Sequence, residues 1–233
     1  MKVVGAPRAK LRTAKRLWRS FQPGSSVSGG RITDRTFSFW SERTLGEGVK
    51  VDWSVTAWKV ADVSCSLRVR MGFYDERVNA LRSIAMGFDM SRVGFLDFDV
   101  LATSSMMDGQ EMPDPPVFDS EVEVEEFAPI VEGYSRRIDR IWDFVGGASV
   151  QGLKSLAIWA MRNRDRAGTT STTMGDICAA FVYGERQLAY ELIAELRSQW
   201  ERRVQQEPRQ AVFDVYDAVL LDIERLQDAV RLH

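Results

Sequence analysis

Val49-Lys50-Val51-Asp52-Trp53-Ser54-Val55-Thr56-Ala57 and Val63-Ser64-Cys65-Ser66-Leu67-Arg68-Val69-Arg70-Met71 are two alternating runs separated by a short break. Successive strand side chains point to opposite faces, so a period of two puts the apolar residues of each run on one side. Lys50, Asp52, Ser54 and Thr56, with Ser64, Ser66, Arg68 and Arg70, take the other side. The pattern predicts a half-buried antiparallel hairpin whose apolar face requires a cover of helices or a second sheet.

Upstream, Phe37 and Phe39 stand at strand spacing within Arg35 to Arg43, and Gly46-Glu47-Gly48 supplies a turn into the hairpin. A three-strand meander is therefore expected. Before it, Leu11, Ala14, Trp18 and Phe21 recur at spacings of three and four among Lys10, Arg12, Lys15, Arg16 and Arg19. That is the signature of a basic amphipathic helix over Arg8 to Gln22, expected to pack Leu11, Trp18 and Phe21 on the sheet. Pro23 to Gly30, rich in Pro, Gly and Ser, reads as a loop.

Downstream, Val78, Leu81 and Ala85 predict a helix from Asp75, a capping residue, to Met86. A fourth strand is expected over Arg92 to Leu101, and residues 103–118, with Pro113, Pro115 and Pro116, read as a linker or exposed loop. The rest is helical. A stripe from Ile130 to Val145 ends at Gly146-Gly147, and a second helix carries Leu153, Leu156, Ala157, Ala160 and Met161. Ala179 to Leu196 forms a small-residue hairpin turning at Gly184, which resembles one tetratricopeptide-type unit. Solenoids of that kind need about three stacked copies, so an ordinary helical hairpin is expected. A last helix past Pro208 carries Val212, Val215, Val219, Ile223, Leu226 and Val230 on one face. The fold class is α+β: an N-terminal amphipathic helix on a small antiparallel sheet over residues 1–115, followed by a helical region over 116–233.

The order helix, loop, meander, fourth strand and helices resembles a family of uncharacterised bacterial α+β domains, domain of unknown function 4304. The resemblance rests on Thr36-Phe37-Ser38-Phe39-Trp40, the Val49 to Met71 hairpin and the segment Ile138 to Leu156. It implies an α+β fold and no particular activity or site residue.

Composition excludes several chemistries. Hydrophobic residues at 45% and charged residues at 27% fit an ordinary water-exposed globular chain, and a net charge of -2 gives the whole molecule no pull toward polyanions. No run approaches the ~18 apolar residues of a membrane span, and the first residues lack the apolar core of a secretory signal. The single histidine is His233, so histidine zinc sites, Ser-His-Asp triads and Cys-His dyads are not expected. Cys65 and Cys178 lie far apart, which argues against a disulfide framework and for a reducing compartment. Residues 1–33 carry bases and no acid, while residues 93–135 carry acids and no base. Such blocks are usually solvated faces and sometimes partner surfaces.

Within Phe95-Leu96-Asp97-Phe98-Asp99-Val100-Leu101, two aspartates at i and i+2 of a strand share a face and could hold Mg²⁺ through oxygen ligands. The string resembles the nucleophile strand of haloacid-dehalogenase-type phosphatases. It departs from that family in having Val100-Leu101 where Gly-Thr follows the second aspartate, and in its meander context. Lys50, Arg68 and Arg70 share the polar face of the hairpin, where guanidinium groups suit phosphate or carboxylate, and Trp40 and Trp58 could add stacking. Thr169 to Thr173 reads as a capping segment with no P-loop string, and Cys178 as a buried thiol.

These observations lead to a non-enzymatic protein-interaction module of the bacterial cytoplasm, of the immunity, defence or regulatory kind, with another protein as partner and no cofactor. Alternatives are a nucleic-acid-associated protein using Lys10, Arg12, Lys15, Arg16 and Arg19, and a Mg²⁺-dependent phosphoryl-transfer enzyme using Asp97 and Asp99. A mitochondrial targeting role for the N-terminal segment is the alternative to a cytoplasmic location.

Overall fold

A computed structural model describes residues 27–32, 36–46, 48–59, 64–111, 117–119, 124–163 and 172–231. The expected N-terminal helix, with Lys10, Arg12, Lys15, Arg16 and Arg19, lies outside them. So do most of the linker around Pro113 to Pro116 and the threonines before Thr172.

The strands are β1 (Val27–Ile32), β2 (Thr36–Gly46), β3 (Val49–Lys59), β4 (Ser64–Asp75), β5 (Leu96–Asp99) and β6 (Val117–Asp119). They form one sheet in the order β1-β2-β3-β4-β5, with β6 paired to β4. The β1–β2, β2–β3 and β4–β6 ladders are antiparallel. Helices are α1 (Glu76–Met86), α2 (Val100–Met107), α3 (Val124–Phe144), α4 (Val150–Arg162), α5 (Met174–Val182), α6 (Arg186–Gln206) and α7 (Gln210–Arg231). The α+β class with a helical C-terminal half stands.

Three boundaries differ from expectation. Val27 to Gly30 belongs to a strand, because β1 pairs with Phe37 to Ser41 and a register shift between Val27 and Gly29 accommodates the glycines. Glycine inside a strand commonly marks such a bulge. The fourth strand is shorter than Arg92 to Leu101, since the Asp99 side chain accepts hydrogen bonds from the Leu101 and Ala102 amides and starts α2 at Val100. Residues 103–107 are therefore helix, and Thr103, Ser104 and Ser105 are buried in it. Arg137 of α3 donates from Nη1 to the Ser104 and Ser105 hydroxyls at 2.9 and 3.2 Å, which satisfies polar groups that an exposed loop would have left to water.

The chain divides into two compact units, each drawing on both halves of the sequence. The first comprises Met1–Phe73, Asp97–Leu153 and Arg166–Gly168; the second comprises Tyr74–Leu96, Lys154–Asp165 and Thr169–His233.

In the first unit the described apolar side chains of the hairpin belong to the core: Val49, Val51, Val69, Met71 and Phe73 are buried. Phe73 meets Phe98 edge-on at 5.3 Å between ring centroids and Trp142 of α3 at 6.3 Å. Such T-shaped pairs add about 0.5–1.5 kcal/mol to their area burial. A side chain from the helical half thus covers this part of the sheet. At the β2–β3 turn, a Cβ on Gly46 would lie 2.7 Å from Val150 Cγ2 at the start of α4, so a larger residue there would have to displace the Val150 side chain.

In the second unit α1 packs against α5 and α7, and the α5–α6 hairpin turns at Gly184, whose φ of 82° suits glycine. Asp75 caps α1 through the Arg77 amide, and Gly87 closes it in the left-handed conformation. Thr173 and Asp176 form a reciprocal capping box on α5.

Candidate functional site

The polar face of the sheet carries the charged groups singled out by sequence. On β4, Val69, Met71 and Phe73 are buried and Arg70 is exposed; on β5, Leu96 and Phe98 are buried while Asp97 is exposed and Asp99 half-buried. Alternation thus brings Arg70, Asp97 and Asp99 to one face. Lys50, between buried Val49 and Val51 on β3, is half-buried on the corresponding polar side. Arg68 occupies β4, but its side chain lies outside the described residues.

Arg70 Nη2 and Asp97 Oδ2 form an ion pair at 2.9 Å, with each side chain 49% exposed. At that exposure a pair contributes only about 0–1 kcal/mol to folding. Its importance is chemical: a guanidinium fork and a carboxylate are fixed side by side and both remain reachable from water. Asp99 has a different task. Its Oδ1 accepts two backbone hydrogen bonds at the start of α2, at 3.0 and 3.1 Å, a cap worth about 0.5–2 kcal/mol. The two aspartates share a face but serve an ion pair and a helix end. Among the described residues no group of three or more His, Cys, Asp or Glu side chains converges as a metal site.

A second polar constellation, in the other unit, was only half visible in the sequence. Asp75, foreseen as a cap, is 1% exposed. Its carboxylate accepts from the Arg77 amide at 2.9 Å, from Arg77 Nε and Nη2 at 3.1 and 2.7 Å, and from the Tyr183 hydroxyl at 3.2 Å. The hydrogen bonds to Asp75 raise the pKa of Arg77. Burial, then the Asp75 charge, pushes the Tyr183 phenol well above its usual range, so it stays a donor. The signal for Tyr183 was its place beside Gly184 at the hairpin turn, but no local pattern links it to Asp75.

One turn further along α1, Asn79 Nδ2 donates to the Val93 carbonyl at 2.9 Å and Arg82 Nη1 to the Gly94 carbonyl at 3.1 Å. These contacts fold the segment after Gly87 back along the helix. Burial lowers the pKa of Arg82, against the opposing fields of Cys178 and Asp176. Cys178 is a buried free thiol, pushed up to about 12 mainly by burial. Burial thus keeps the thiol protonated at neutral pH, where the protonated form is a poor nucleophile. No described helix is long and apolar enough to cross a membrane. The chain matches no protein-family model, no curated protein and no solved structure.

Proposed function

We propose that this chain is a non-enzymatic protein-interaction module of the bacterial cytoplasm, of the immunity, defence or regulatory kind, which binds another protein through the polar face of its sheet. The observation that carries the reading is the Arg70–Asp97 pair, fixed at 2.9 Å with both side chains half in water. Such a pair offers a partner a donor fork and an acceptor in fixed register at little cost to stability, which is how charge patterns select partners. The contacts of the Asp-x-Asp string support the same reading over phosphoryl transfer, since Asp97 faces a guanidinium and Asp99 caps a helix.

The test is photo-cross-linking from a benzoylphenylalanine placed at Lys50 of the full chain in its native cell. A single cross-linked protein is expected, and it should vanish when Arg70→Glu or Asp97→Arg is added, with circular dichroism unchanged. A cross-link indifferent to both charge reversals overturns the reading. So does a Mg²⁺-dependent phosphatase activity that is lost in Asp97→Asn.

A further inference from the structure

Helices α6 and α7 are long, and burial occupies only one end of their hairpin. The buried residues of α6 are Leu188, Ala189, Leu192, Ile193 and Leu196; those of α7 are Ile223 and Leu226. Between Arg197 and Asp222 no residue is buried. The apolar stripes nevertheless continue through that span. On α6, Ile193 and Leu196 are followed at helical spacing by Trp200 and Val204; on α7, Val212, Val215 and Val219 lead into Ile223 and Leu226. Phe213 and Val215 are 40% and 45% exposed. Within this arm the Tyr216 hydroxyl of α7 donates to Glu201 of α6 at 3.2 Å, and Arg203 stacks over Trp200 at 5.2 Å on α6 itself.

Two helices alone leave Val215 exposed and Trp200, Val204, Val212 and Val219 only half-buried. Charge on the arm indicates what covers them. Residues 197–209 contain Arg197, Arg202, Arg203 and Arg209 against Glu201 and Glu207, so this half is basic. Residues 210–222 contain Asp214, Asp217 and Asp222 and no base, so the facing half is acidic. A two-fold axis sets residue i of one copy against j of the other and j against i. It would therefore lay the basic α6 half of one arm along the acidic α7 half of its partner, and the reverse.

We propose that the arm from Arg197 to Asp222 is a self-association surface, and that two copies join their α6–α7 hairpins into a four-helix bundle. Its core is Trp200, Val204, Val212, Val215 and Val219 of both copies, and its charged flanks are complementary across the two-fold. Antiparallel bundles are built from stripes of this three-and-four spacing. The inference is independent of the sheet face.

The test is sedimentation equilibrium of the full chain across a concentration series, at low and high salt. A dimer is expected that weakens at least tenfold with salt, as screened flanking charges require. Val215→Glu with Val219→Glu should give a folded monomer, because neither side chain is buried in the single chain. Arg202→Glu/Arg203→Glu and Asp214→Arg/Asp217→Arg should each be monomeric alone, yet dimerise when mixed. A wild-type chain that stays monomeric at ~100 μM, where even a weak dimer of micromolar Kd would be populated, overturns the proposal. So does a dimer that survives both valine substitutions, or an arm that cross-links only to a different protein.

Discussion

The Tyr183 hydroxyl donates a 3.2 Å hydrogen bond to the Asp75 carboxylate, joining residues 108 positions apart in the chain. It ties the turn of the α5–α6 hairpin to the start of α1, and both groups are buried.

Tyr183→Phe removes the donor and leaves Asp75 its Arg77 contacts, so the expected loss is about 0.5–1.5 kcal/mol. Asp75→Ala strips the α1 cap and strands the phenol together, and is expected to cost about 2–3 kcal/mol. Urea unfolding of both single variants and the double variant checks this. Because the two groups share one hydrogen bond, the double variant should lose less than the sum.

Glycine substitutions separate close approach from free space. A Cβ at Gly175 would lie 2.6 Å from the Phe95 carbonyl oxygen, backbone that cannot swing away. Gly175→Ala should destabilise by about 1–3 kcal/mol, the usual cost of overpacking. A Cβ at Gly133, inside α3, meets nothing within 4 Å. Gly133→Ala should stabilise by about 0.5–1 kcal/mol by removing unfolded-state freedom. Thermal melts of the pair should move in opposite directions.

The two aspartates of the β5 string should also part company. Asp99→Ala removes a helix cap with two backbone bonds and is expected to cost about 1–2 kcal/mol. Asp97→Ala opens a half-exposed ion pair and should cost under about 1 kcal/mol, less still in high salt. Equal losses in guanidinium unfolding would contradict the division of roles.

Alkaline stability follows from Cys178. Burial raises its pKa from 9.0 to about 12, so between those values the folded chain keeps a proton that the unfolded chain releases. The resulting stability is complete below pH 9.0 and is lost as pH rises toward about 12. Burial raises the Tyr183 phenol as well, with the same sign. In a Cys65→Ser background, Cys178→Ala should show a shallower alkaline decline by denaturant titration. Iodoacetamide should leave Cys178 unmodified in the folded chain at about pH 8 and alkylate it after unfolding.

Local periodicity revealed much of the fold because it reports which face of an element is dry. The alternation of Val49, Val51, Val69 and Met71 and the stop at Gly146-Gly147 are signals of that kind. What it missed depended on partners distant in sequence. Asp99 read as a strand residue because Phe98-Asp99-Val100-Leu101 is apolar enough for either a buried strand or a buried helix, and only the capping bonds decide. Arg70 and Asp97 were each visible as charges, but their pairing arises from β5 lying beside β4, with α1 between them in the chain. The stripe on α7 was legible from Val212 to Val230; that burial begins only at Ile223 was not, because a stripe does not say how far its neighbour extends.

The interleaving of the two units has a consequence for synthesis. Residues 74–96 belong with partners that begin at Lys154 and run to the C-terminal helix, while the intervening stretch belongs to the other unit. Chains emerge at ~5–20 residues per second, so α1 waits for seconds before α5 and α7 leave the ribosome. During that interval Val78 and Ala85, buried in the finished protein, have no lasting cover. A translational pause placed between α1 and α5 should lower the yield of native protein more than the same pause placed after Arg231.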